Sequence, residues 1–271
     1  MKILVDSLSD IQLFEAEKLG VEVIPLTVSF GEDEYLDGVN LDLNDFYDML
    51  VNKHLYPKTS QPSPQLYIDK FKEAKDKNED LIYLAVSSKI SGTIKSAEMA
   101  KQIVDYDRIY IIDTLTLSGG IQLILTELLR KNSELDTISL VNHLNEFKTR
   151  VGVLCGLDTL EYVYKGGRVS KSQFVLGDII KLKPVLTVVD GVITPFSKAI
   201  GLLRSCDIIK KTFIKEEPDL SFEPLFGYTM HPDNMNYLIK KLKVGEKVIH
   251  VGTAIGTHVG PDAYAVFYIR K

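Results

Sequence analysis

Hydroxyl side chains gather at three points of this chain where an apolar, strand-like run gives way to helical periodicity. Asp6-Ser7-Leu8-Ser9-Asp10 follows residues 3–5, Ser87-Ser88-Lys89-Ile90-Ser91-Gly92-Thr93 follows residues 81–86, and Asp113-Thr114-Leu115-Thr116-Leu117-Ser118 follows residues 109–112. In parallel α/β sheets, ligands collect outside the carboxyl ends of strands, where helix N-termini offer unpaired N–H groups and a partial positive charge. These turns are therefore placed to hold an anion. Capping by Ser9 or Asp10 accounts for the first turn without a ligand. In the second turn a single cap accounts for one serine, not four hydroxyls. Gly92 admits close approach to the backbone there, which makes Ser91 the stronger candidate. Neither G-x-G-x-x-G nor a P-loop occurs, which disfavours a dinucleotide or P-loop nucleotide and leaves a carboxylate as a fitting anion.

A further pair, Thr59 and Ser60, lies in Tyr56-Pro57-Lys58-Thr59-Ser60-Gln61-Pro62-Ser63-Pro64, which reads as a loop stiffened by three prolines. Proline restricts its own backbone and that of the residue before it, so these hydroxyls are expected to be placed before any ligand arrives. His258 lies in Gly252-Thr-Ala-Ile-Gly-Thr-His-Val-Gly-Pro261, a glycine-rich loop by pattern and a site of close contact. The other histidines, His54, His143, His231 and His250, have no comparable setting. Cys155 and Cys206 stand far apart without CxxC or ligand spacing, so neither a disulfide nor a metal site is indicated and both read as plain buried thiols. Ser91, His258 and either Asp6 or Asp113 supply the residue types of a hydrolase triad, but the G-x-S-x-G spacing is absent. Glu32-Asp33-Glu34 reads as a solvated turn, and no compact acidic pair stands out.

The elements that must position these groups follow from periodicity. Strand-length apolar runs at 3–5, 21–30, 81–86 and 109–112 alternate with helical segments ending near Gly20 and Val104, which predicts α/β layering with a mainly parallel sheet. From Val151 the strands are expected to pair as hairpins, and Asp190-Gly191 between two β-branched runs is a two-residue turn signal. The reading is two domains, 1–150 an α/β domain and 151–271 an α+β domain, with a site between them, which suits 271 residues. A hydrophobic content of 45% and a charged content of 25% are ordinary for a globular chain. A net charge of −5 without a Lys or Arg cluster argues against nucleic acid or an anionic membrane as the main partner. The N-terminal apolar run is too short for a signal segment, and the apolar stretch at 121–129 falls short of the roughly 20 residues of a membrane span. A cytoplasmic, monomeric protein is expected.

Six segments, Asp6-Ser-Leu-Ser-Asp10, Lys58-Thr-Ser-Gln-Pro-Ser63, Ser87-Ser-Lys-Ile-Ser-Gly-Thr93, Asp158-Thr-Leu-Glu-Tyr162, Lys165-Gly-Gly-Arg-Val-Ser170 and Ile255-Gly-Thr-His-Val-Gly-Pro261, together resemble the DegV family, in its order and over the whole chain. The resemblance implies a two-domain α/β protein that buries a long-chain fatty acid between its domains, carboxylate at the mouth, with no cofactor and no catalysis of its own. Some members act as the acyl-carrying subunit of a bacterial fatty acid kinase. They present the acid to a separate ATP-binding subunit, and the acyl phosphate goes to phospholipid synthesis. By position, the resemblance implies carboxylate contacts from Thr59 and Ser60, from Ser91 and Gly92, and from His258, and kinase docking or phosphotransfer for Arg168. One departure stands out. Where the family commonly has a basic run, this chain reads Lys198-Ala-Ile-Gly-Leu-Leu-Arg-Ser205, with Ile200 at the expected arginine, so the kinase partner is less well supported than the lipid. The competing readings are a Ser91/His258 acyl hydrolase and a module that binds a phosphorylated metabolite at the same turns.

Overall fold

The computed structural model describes residues 1–169 and 182–271. Four strands, in the order Val21–Ile24, Lys2–Asp6, Leu81–Ala85, Ile109–Asp113, form an all-parallel sheet. Six strands form a second, mixed sheet, in the order Val192–Ile200, Leu182–Val189, Val151–Gly156, Tyr264–Ile269, Leu225–Tyr228, Lys247–His250. A small antiparallel sheet of Asp33–Leu36, Thr27–Phe30 and Lys58–Ser60 completes the set.

Side-chain alternation along the strands sorts the apolar residues into layers. Ile3, Val5, Ile82 and Leu84 face one core, while Leu4, Leu81 and Tyr83 face another, packed under helices Pro64–Asp76 and Thr93–Val104. In the mixed sheet Ala265, Phe267 and Ile269 share the first core, and Tyr264, Val266 and Tyr268 pack beneath helices Leu202–Lys215 and Asp233–Leu242. Helix Gly119–Lys131 is the shared middle layer, with Ile121, Ile124 and Leu128 in the first core. Its apolar side chains serve the layer between the two sheets, while Thr126 and Arg130 mark the face left to solvent. The layering is thus helix, parallel sheet, helix, mixed sheet, helix.

The structure corrects several local expectations. Residues 21–30 form two strands in different sheets, separated at Pro25, which cannot donate to a ladder. Among the described residues only one pair in the mixed sheet is the expected hairpin, since Leu225–Tyr228 and Lys247–His250 run parallel and Val151–Gly156 pairs with the distant Tyr264–Ile269. That hairpin turns at Asp190 and Gly191, both at positive φ (49° and 80°), as a two-residue turn demands. Its tip docks on the parallel half, where Ser87 Oγ donates to Gly191 O at 2.8 Å. Neither Ser9 nor Asp10 is the N-cap of the helix that follows. Asp6 caps a short 3-10 turn, Ser7–Ser9, and the following helix, Leu13–Lys18, starts later.

Candidate functional site

Thr59 belongs to a three-residue strand, not to a proline-held loop. Lys58–Ser60 pairs antiparallel with Thr27–Phe30, Thr59 opposite Val28. Pro64 opens the next helix at its first turn, where a missing N–H costs nothing. Alternation turns the half-buried Thr59 inward and leaves its neighbour Ser60 exposed on the other face, away from the mouth. Thr59 Oγ1 lies 2.9 Å from His258 Nε2. His258 is itself in a helix, Thr253–Val259, not a loop.

Ser91 sits just before helix Thr93–Val104, its Oγ 2.7 Å from Thr93 Oγ1. Gly92 is the N-cap position, but the group that approaches it closely is internal: a Cβ there would lie 2.2 Å from Gln61 Oε1. Gln61 in turn bonds Ser96 Oγ at 3.1 Å, which ties the Thr59 strand to the Ser91 helix. Arg168 follows helix Glu161–Lys165, and its Nε and Nη1 donate to the carbonyls of Ile90 and Gly166. Among the described residues no carboxylate is paired with it, and burial lowers its pKa. Ser170, at the end of the same sequence motif, lies outside the described residues.

Thr59, Ser91, Arg168 and His258 line one cavity of about 430 Å³. Burial, and then the Arg168 guanidinium, push the His258 pKa down to about 3, so the ring is neutral at pH 7. Its Nδ1 is buried without a partner among the described residues. Among the described residues the mouth therefore offers two hydroxyls, a neutral imidazole and one cation.

A second cavity of about 550 Å³, lined almost wholly by apolar side chains, adjoins the first, and Leu117, Ile193, Ile255 and Val259 line both. Its walls come from the hairpin (Leu186, Val188), from the mixed sheet (Val153, Phe267) and from the start of the middle helix. Cys155 lines this cavity half-buried, its thiol pushed up to about 12 by burial, and Cys206 is fully buried.

No hydrolase triad is assembled. Ser91 bonds Thr93 and His258 bonds Thr59, while Asp6 accepts from Tyr83 Oη, Val86 N and Leu8 N, and Asp113 from Ser88 N and Leu115 N. Two aspartates stand beside this site: Asp10, which its sequence marks only as a cap, and Asp37, which no sequence pattern marks. Both are fully buried beside the start of the His258 helix, and desolvation raises the pKa of Asp37 and lifts that of Asp10 to about 8. Their partners on the His258 helix lie more than two hundred residues away in sequence, so no local pattern marks the pairing. Ile200 is 68% exposed at the end of the hairpin, near the exposed Leu203 and Arg204. Among the described residues no group of His, Cys, Asp and Glu is arranged to hold a metal, and no helix is long and apolar enough to cross a membrane.

A model of the DegV family, described as "Uncharacterised protein, DegV family", matches residues 1–271. The chain is 31% identical over 285 residues to a DegV domain-containing protein of Halalkalibacterium halodurans, covering 99% of this chain and 98% of that one. It is also 31% identical over 277 residues to a protein of Thermotoga maritima named fatty acid-binding protein, covering 96% and 94% of the two. A solved structure of a DegV family protein from Thermus thermophilus, described by its fatty acid binding, matches with a TM-score of 0.89 at 26% identity, covering 100% of this chain and 99% of that one. By sequence over its full length and by fold, the chain belongs to the DegV family.

Proposed function

We propose that this protein binds one long-chain fatty acid, tail in the apolar cavity and carboxylate at the polar mouth. The observation that carries the reading is the adjacency of the two cavities, an apolar chamber that shares four wall residues with the site lined by Thr59, Ser91, His258 and Arg168. The Thermotoga and Thermus relatives, described as fatty-acid binders, support it. In this reading residues 1–150 and 151–271 are the two domains that close on the lipid. The forces divide between tail and head. About 15 methylenes at about 0.8 kcal/mol each contribute on the order of 10 kcal/mol before association costs. A hydrogen bond to a charged head contributes about 1.5–3 kcal/mol. The tail supplies affinity and the mouth sets orientation. Titrating lipid-free protein with saturated acids of increasing length tests this: affinity rises by about 0.8 kcal/mol per methylene until the chamber is full. A flat series would place the tail elsewhere.

The finer reading is that the bound acid is a substrate in transit. One carboxylate oxygen attacks the γ-phosphorus of ATP held by a separate kinase subunit, the bond from that phosphorus to the ADP oxygen breaks, and acyl phosphate and ADP result. Thr59 and Ser91 hold the head while leaving an oxygen to react, and Arg168 lies where it can meet the developing phosphoryl charge. The protein is then a non-catalytic carrier at work in the cytoplasm, where ATP is at hand. Trapping acyl phosphate as hydroxamate from this protein, palmitate, ATP and a fatty acid kinase subunit tests the step; no hydroxamate above the kinase-free control would sink it.

A further inference from the structure

We propose that Asp10 and Asp37 are positioning residues of the carboxylate site, holding from across the fold the N-terminus of the short helix that carries His258. The proposal rests on the fatty-acid reading and deepens it.

Helix Thr253–Val259 has seven residues, too few to be stable alone. Its first N–H groups have no partner within the helix, and its N-cap, Gly252, has no side chain to supply one. The two aspartates provide the missing acceptors. Asp10 Oδ1 accepts from Gly252 N at 2.8 Å. Asp37 Oδ1 accepts from Ala254 N at 3.1 Å and from Thr253 Oγ1 at 2.7 Å. A Cβ on residue 252 would lie 3.1 Å from Asp10 Oδ1 and 3.2 Å from Asp37 Oδ1, so the glycine lets both carboxylates close over the helix start.

Each aspartate is anchored in turn. Asp10 Oδ2 accepts from Ser118 Oγ at the head of the middle helix, and the backbone N–H of Asp37 donates to Leu26 O at 2.9 Å. Burying carboxylates is costly, and among the described residues no cation pairs with either of these. The N–H and hydroxyl donors at the helix start are what satisfy such buried carboxyl oxygens. One and a half turns further along, the same helix presents Ile255, His258 and Val259 to the cavity. A shift at its first turn therefore moves the imidazole away from Thr59 Oγ1. Sequence holds the signal in two halves, the second Asp of the DSLSD turn and an Asp-Gly turn after Asp33–Leu36, and only the fold brings them together.

The experiment uses the full-length protein stripped of lipid, with palmitate and hexadecanol as probes and the ring resonances of His258 read by NMR. Asp37→Ala is expected to weaken palmitate by about tenfold, the scale of a lost helix cap, while leaving hexadecanol within about twofold and shifting the His258 ring signals. Asp37→Asn, whose amide oxygen accepts from the same donors, should restore both the palmitate affinity and the ring signals. Thr253→Val, which removes one donor, should shift both in the same direction by less, and it carries the test if Asp37→Ala does not fold. Equal weakening of palmitate and hexadecanol, or unmoved His258 signals in Asp37→Ala and Thr253→Val, would overturn the proposal. Failure of the wild type to bind palmitate would overturn the fatty-acid reading instead, and is told apart because the His258 signals are read without ligand.

Discussion

Thr59→Val removes one hydroxyl and leaves the rest of the strand in place. Valine keeps the branched shape, favours strand backbone, and leaves the pairing of residue 59 with Val28 untouched. What is lost is the partner of His258 Nε2, 2.9 Å away, on a ring whose Nδ1 already has none. A neutral, largely desolvated imidazole without any partner costs the empty protein about 1–3 kcal/mol. Loss of one hydroxyl to the carboxylate costs a further 1.5–3 kcal/mol of binding, or about 10- to 150-fold in Kd. Isothermal titration with palmitate and, in parallel, hexadecanol separates head from tail, and a thermal melt reports the cost to the fold. The expected result is a large loss for palmitate, a small one for the alcohol and a lower Tm. Palmitate affinity within about twofold of wild type in a folded variant would refute the reasoning that this hydroxyl orients the head.

Two other perturbations bear on the scaffold. Burial lifts Asp10 from 3.8 to about 8, so between these values the folded state holds a proton the unfolded state has released, and stability falls as pH rises through the window. Asp6, raised to about 6, acts in the same direction, whereas His258, lowered to about 3, costs stability only as pH falls below its ordinary 6.5. Chemical denaturation at pH 6.5 and pH 9 should therefore show a smaller loss for Asp10→Asn than for wild type, and equal losses would mean the carboxyl is not held protonated. Gly191→Ala places a Cβ at φ 80° and 2.5 Å from Ser87 Oγ, so it strains the hairpin turn and displaces its latch; a loss of about 1–3 kcal/mol is expected by denaturant titration, and no loss would mean the hairpin tip is not held there.

Much of this architecture is written in local patterns. The central strand Leu81–Ala85 is buried at every position and reads as an unbroken apolar run, as a strand covered on both faces must. Asp190-Gly191 announces its own turn. The split of residues 21–30 was legible too, at Pro25. Other features leave no local trace. Lys58–Ser60 is too short to show a period, and the His258 helix, seven residues with an internal glycine, has no apolar stripe to distinguish it from a loop. Of the six family segments, those around Thr59, Ser91, Arg168 and His258 converge on one cavity, while Asp6-Ser-Leu-Ser-Asp10 gives that cavity Leu8 and otherwise serves the scaffold, bonding Tyr83, Val86, Ser118 and Gly252. The walls of the apolar chamber come from strands and helices spread over 150 residues, and only the fold assembles them.

The central claim is that the joined cavities hold a fatty acid by its tail and fix it by its head. Native mass spectrometry of the purified protein, followed by organic extraction and lipid analysis, tests it directly. The account predicts one fatty acid per chain, or uptake of one when palmitate is added to stripped protein, with occupancy reduced in Thr59→Val. A protein that carries no lipid and takes up none would contradict it.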